Sequence, residues 1–243
     1  MDYEIKDFNG FECRVFTLSD REVKLVLPRE KDPMGRWLLK TEYFGAFPAL
    51  EIEMLERGFH VAYVKNATRW HLDSDDVAKE ELCRYLASEY GLSEKCVPVG
   101  MSCGGLQAVY FAAAHPERIA ALYLDAPVLN LLSCPMGIGK KENDSMLEEM
   151  LVATGLTVTE LINYRNHPID KKEILLNAGI PIFMVYGDSD FVVPYDENGA
   201  ELEKFYRERG GIIEAVGKPG CAHHPHLLED NTPIIDFILK YYN

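Results

Sequence analysis

Residues Gly100-Met101-Ser102-Cys103-Gly104 spell G-x-S-x-G, and their flanks decide what that spelling means. The apolar stretch Cys96-Val97-Pro98-Val99 runs into the pentapeptide, and Gly105 to Ala114 leave it with helical character. A strand, a tight turn and a helix are the setting in which a serine stands exposed as a nucleophile. Small neighbours are needed because Cβ groups would crowd so sharp a turn. The rival reading, a Gly-rich turn with an incidental serine, does not account for the flanks. A serine hydroxyl alone is a poor nucleophile; it needs a base in hydrogen-bond reach, and that base needs an orienting acid. Both types follow downstream, each after an apolar stretch. Gly187 to Pro194, with Asp188 and Asp190, follows Ile182 to Tyr186; Pro219 to His226, with His223, His224 and His226, follows Ile212 to Val216. The chemistry open to such a set is acyl transfer through a serine ester.

The elements that must hold these residues read as an alternation. Phe11 to Phe16, Glu22 to Leu27 and Trp37 to Leu39 have strand character. A helix over Pro48 to Arg57 ends at Gly58, and His60 to Val64 is the next strand. Ser74 is placed as the cap of a helix with an acidic first turn, Asp75-Asp76, that stops at Gly91. Ile119 to Leu124 and Ile182 to Tyr186 are nearly apolar throughout, as strands buried on both faces are. Thr232 opens a last helix with Pro233 in its first turn. The pattern predicts one α/β domain over residues 1–243, a mostly parallel central sheet with helices on both faces. Residues 126–179 break the alternation with short helical patterns such as Ser145 to Thr154, and read as a small helical cap inserted over the carboxyl edge of the sheet.

In this order, elbow then acid loop then histidine loop, the chain resembles the serine hydrolases of the α/β-hydrolase fold over nearly its whole length. In that family the acid commonly precedes a Val-Pro pair by a few residues, which selects Asp190 ahead of Val193-Pro194. Asp188, a natural turn carboxylate, and Asp125, at the end of the strand after the elbow, remain the rivals. The family's histidine loop commonly reads Gly-x-Gly-His, and Gly220-Cys221-Ala222-His223 fits with His223 as the base. Ala222 departs from that pattern and leaves His224 as the alternative register. The resemblance also implies an oxyanion hole, with one donor the amide of Cys103. The second belongs to the turn Lys40-Thr41-Glu42-Tyr43, where the family often carries His-Gly or Gly-Gly; Thr41 is assigned, with Glu42 the alternative. The Glu42 carboxylate either meets a polar substrate group or pairs with Lys40. Trp70 with His71, Met101 and Phe191 are the expected pocket walls, along with cap residues such as Met136.

Three imidazoles in four residues also invite a metal. Their adjacency and the lack of accompanying cysteine or carboxylate ligands argue against one, so neither metal nor cofactor is expected. A net charge of −14 disfavours nucleic acid and anionic membranes as partners. No apolar run has the roughly 20 residues of a membrane span. The start, Met1 to Lys6, has no signal-peptide character, and six scattered cysteines without C-x-x-C spacing point to a reducing cytoplasm. The resulting expectation is a cytoplasmic hydrolase, monomer or homodimer, acting on a small or medium carboxylic ester. Amide, thioester or peptide cleavage and a non-catalytic binding role are the alternatives.

Overall fold

The computed structural model describes residues 2–140 and 145–242. An antiparallel meander opens the chain: β1 (Glu4–Phe8), β2 (Phe11–Leu18) and β3 (Arg21–Val26). Its two turns, Asn9-Gly10 and Ser19-Asp20, put both central residues at positive φ, matching the twist of the strands they join. β1 escaped the sequence reading because four of its five residues are exposed.

The remaining strands are β4 (Trp37–Lys40), β5 (His60–Val64), β6 (Val97–Met101), β7 (Leu122–Asp125), β8 (Ile182–Gly187) and β9 (Ile213–Lys218). Among the described residues they form one nine-stranded sheet in the order β1-β2-β3-β5-β4-β6-β7-β8-β9. β3 meets β5 antiparallel, and every pairing from β5 to β9 is parallel.

The helices are α1 (Ala49–Glu56), α2 (Asp73–Tyr90), α3 (Cys103–Ala114), α4 (Met146–Thr154), α5 (Val158–Asn163), α6 (Lys172–Asn177), α7 (Gly199–Glu208) and α8 (Thr232–Tyr241). Strand pleating sorts neighbouring residues to opposite faces. Leu38, Val61, Tyr123 and Phe183 pack with α1 and α8, while Leu39, Ala62, Leu124 and Met184 pack with α2, α3 and α7. Burial on both faces is why these strands read as unbroken apolar runs.

Two expectations change. Helix α2 begins one residue before Ser74: its first turn is tied by Asp75, whose Oδ2 accepts the Leu72 amide at 2.9 Å. Ser74 instead accepts a hydrogen bond from Arg21. The expected insertion also divides. Residues 141–144 lie outside the described residues; α4 and α5 pack around Trp70 and Cys103, whereas Ile169 and Leu175 join the main core beneath α3 and α7. No helix among the described residues is long and apolar enough to cross a membrane.

His60 on β5 gives the sheet a pH dependence. The ring is buried, its Nδ1 has no partner, and burial, with Lys31 and Arg14 nearby, pushes its pKa down to about 4 from 6.5. Between those values the unfolded chain binds more protons, so this stability is whole above the unfolded value and is lost as pH falls. From about pH 7.5 to about pH 5 His60 should remove about 2 kcal/mol. Urea unfolding of wild type and His60→Leu at both pH values measures it, and an equal acid loss in the two proteins would place the effect elsewhere.

Candidate active site

The G-x-S-x-G turn joins β6 to α3. Ser102 sits at φ 53°, ψ −121°, outside the usual L-residue regions. Three backbone bonds hold it there: its amide donates to Asp125 O at 2.9 Å, and its carbonyl accepts the amides of Gly105 at 2.9 Å and Val128 at 3.1 Å. Gly100 is required by approach: a Cβ there would lie 2.6 Å from the Gly104 carbonyl oxygen.

β8 delivers the acid. Asp190 is buried, its Oδ1 accepting the amides of Val192 and Val193 at 2.8 and 2.9 Å. Its Oδ2 lies 2.7 Å from Nδ1 of His223, and His223 Nε2 lies 3.1 Å from Ser102 Oγ. The loop after β9 comes this close because Gly187 has no side chain; a Cβ there would meet Cys221 O and Ala222 O at 2.3 Å. The two rival aspartates serve elsewhere. Asp188 accepts the Gly220 amide at 2.7 Å, tying the acid loop to the histidine loop, and Asp125 faces His226, with Nδ1 to Oδ1 at 2.8 Å. Burial alone would raise the Asp125 carboxyl, but His226 and the Leu227 amide outweigh it and hold it below the usual range.

The turn after β4 corrects the second-donor assignment. The Thr41 amide donates to Val99 O at 3.2 Å, extending the sheet, and its hydroxyl has two carbonyl acceptors in reach, Gly104 O at 2.7 Å and Val99 O at 3.0 Å. Thr41 therefore has no free N–H. Among the described residues the amides of Glu42 and Cys103 have no acceptor, and the Glu42 backbone lies against Gly104. The Glu42 carboxylate accepts from Asn66 at 2.8 Å; Lys40 turns to the other side of the sheet and pairs with Glu51 at 2.6 Å.

A cavity of about 320 Å³ opens over Ser102, walled by Tyr43, Phe47, Arg69, Met101 and Val192 together with His223, His224 and His226. Met101 is where it was expected. Trp70 is not: it is buried against Cys103, Leu106 and Tyr110, and its neighbour Arg69 faces the cavity, held by Glu149 of α4. His71 stacks on Tyr110 and pairs with Asp76. Met136 packs in the Trp70 cluster. Phe191 is half exposed and borders a neighbouring hollow, leaving Val192 to form the wall. Tyr43, Phe47 and Arg69 escaped the sequence reading because nothing local signals which loop residue turns inward.

The three imidazoles do gather, with ring nitrogens within 4.8 Å of one another. Both nitrogens of His223 and Nδ1 of His226 are engaged by protein oxygens. That leaves His224 and a single nitrogen of His226 for any ligand.

The family model for Esterase matches residues 57–209, the stretch that carries both the elbow and Asp190. The chain belongs to the esterase family. Its fold is the α/β-hydrolase fold, shared with solved structures of low sequence identity. The chain is similar to Est1E from Butyrivibrio proteoclasticus, at 15% identity and TM-score 0.61, covering 98% of each chain. It is similar to an S-formylglutathione hydrolase from Agrobacterium tumefaciens at 15% identity and TM-score 0.64, covering 100% of this chain and 98% of that one. A puromycin-hydrolyzing peptidase of Mycobacterium tuberculosis aligns at TM-score 0.73 and 12% identity, covering 96% of this chain and 39% of that one. The present chain thus spans about two fifths of that longer one.

The site predicts the behaviour of the thiols. Burial pushes Cys103 up to about 11, and among the described residues Cys221 alone is not buried. Native protein should consume about one equivalent of a thiol reagent at neutral pH, mapped by peptide mass spectrometry to Cys221. Comparably fast modification of Cys103 would contradict its placement under the elbow.

Proposed function

We propose that this esterase hydrolyses carboxylic esters of small or medium size through an acyl-serine intermediate. The observation that carries the reading is the pair of contacts at 3.1 and 2.7 Å linking Ser102, His223 and Asp190. With Asp190 accepting from Nδ1–H, the neutral ring presents its Nε2 lone pair to the Ser102 hydroxyl. His223 takes the serine proton as Oγ bonds to the carbonyl carbon, and the displaced electron pair moves onto the carbonyl oxygen. The amides of Cys103 and Glu42 are the proposed donors to that oxyanion. The imidazolium then protonates the departing alkoxide as its C–O bond breaks, releasing the alcohol. Water, deprotonated by the same ring, attacks the acyl-serine; the ester bond to Ser102 breaks, the serine oxygen regains its proton, and the acid leaves.

The cycle consumes only ester and water. A cavity of about 320 Å³ suits a small-molecule ester. Family membership favours esters over amides, since the peptidase neighbours share only the fold. Six cysteines scattered without C-x-x-C spacing fit a reducing cytoplasm as the setting.

A fluorophosphonate should form one adduct, on Ser102, and none in Ser102→Ala. Asp190→Asn should lower kcat on p-nitrophenyl acetate by on the order of 10³ to 10⁴ by letting the histidine adopt the wrong tautomer. Folded wild-type protein that neither labels nor turns over ester would replace this reading with a non-catalytic binding role.

A further inference from the structure

The triad leaves unused a second histidine–aspartate pair in the same cavity. Asp125, at the end of β7, is buried and accepts three hydrogen bonds: His226 Nδ1 at 2.8 Å, the Leu227 amide at 2.6 Å and the Tyr123 hydroxyl at 2.9 Å. A carboxylate so supplied stays ionised, and it can only accept. Nδ1 of His226 must therefore carry a proton, and in the Nδ1–H tautomer Nε2 keeps a lone pair. Among the described residues no protein group holds that nitrogen, and His226 lines the cavity beside Ser102 and His223. Phe47 meets His226 edge-on, with ring centroids 5.1 Å apart, and stacks on His224, so the ring plane is fixed by packing as well as by Asp125.

The pair repeats the geometry of His223 with Asp190, but it meets no serine. An oriented, unspent acceptor facing the reacting centre calls for a donor on the substrate. His224 lies beside it, held below its ordinary pKa chiefly by desolvation. Among the described residues, the one cation lining the cavity, Arg69, is occupied by Glu149, which disfavours an anionic substrate group.

Building on the serine-hydrolase reading, we propose that His226, held by Asp125, is a specificity-determining residue that accepts a hydrogen bond from a free hydroxyl on the substrate's alcohol portion. The substrate class is then monoesters of diols and polyols, in which a hydroxyl neighbours the ester oxygen. A site built around a hydrogen bond rejects an analogue lacking the donor strongly, because the buried partner is left unpaired.

The test compares 2-hydroxyethyl acetate with 2-methoxyethyl acetate, which keeps the oxygen and loses the donor. Wild type should favour the hydroxyl ester by about tenfold or more in kcat/KM. Results are read as the ratio within each protein, so a general loss of activity cancels. In His226→Ala the ratio should fall to within about twofold of one. Asp125→Asn keeps the shape, and its amide can donate to Nδ1 while its oxygen still accepts from Leu227 and Tyr123. That swaps the ring tautomer, turns Nε2 into a donor, and should abolish the preference, an outcome a purely structural role would not produce. A wild-type ratio near one, or a preference that survives both substitutions, overturns the proposal while leaving the hydrolase reading intact. Absence of turnover together with absence of Ser102 labelling would instead defeat the hydrolase reading and this inference with it.

Discussion

The backbone of Ser102 is the constraint on which the site depends. Holding a non-glycine residue at φ 53°, ψ −121° costs on the order of 1–3 kcal/mol, and the surroundings must fix it. They do so from three directions: β7 accepts its amide, α3 and the segment after β7 donate to its carbonyl, and the glycine at position 100 lets α3 close over β6. Once the serine is fixed at this edge of the sheet, the other groups have only one place to go. The acid loop after β8, the histidine loop after β9 and the turn after β4 all leave the same edge of parallel strands. A parallel sheet thus converts widely separated stretches of sequence into one cluster, as open α/β sheets do at their carboxyl ends.

Two histidine–aspartate pairs share that edge, and their difference lies in what stands beyond the ring. Asp190 and Asp125 are both buried, and both satisfy backbone amides as well as an Nδ1. His223 ends at a hydroxyl, where its lone pair finds a proton to take. His226, three residues on, ends in open cavity. Asp188 shows how narrowly the roles divide: two residues before Asp190, it accepts from Ser189 of its own loop and from the Gly220 amide of the histidine loop. A carboxylate's position in its loop, more than its type, decides its role.

That is also why the sequence was legible in some places and opaque in others. Of the nine strands among the described residues only β1 was not legible: both-face burial writes β4 to β8 as apolar runs, whereas the mostly exposed β1 writes nothing distinctive. Ser102, Asp190 and His223 carry local motifs, so their gathering into one cluster was readable before any coordinates. Thr41 was misassigned because sheet register is a long-range property: nothing near it says that its amide meets Val99. Trp70 and Phe191 each stood one residue from the side chain that faces the cavity, since a one-residue step in a loop reverses direction. Nothing near His226 signals that it pairs with Asp125, because that partner lies 101 residues away.

The turn after β4 lacks the glycines expected of an oxyanion loop, and its support comes from behind. Lys79 of α2 is buried, with Nζ donating to Asn66 Oδ1 and Gln107 Oε1, each at 2.8 Å, and to Asp75 O at 3.2 Å. An ammonium only donates, so it fixes which end of the Asn66 amide faces it. The Asn66 nitrogen is thereby turned to Thr41 O at 2.6 Å and to the Glu42 carboxylate at 2.8 Å. Desolvation drops the lysine to about 8, with Asp76, Asp75 and Glu42 supplying the charge that opposes this. A fully connected polar network of this kind can specify one conformation, whereas a partly satisfied one would be costly. Here a side-chain network clamps the backbone of Thr41 and Glu42 from beneath, so residues with side chains can occupy the turn.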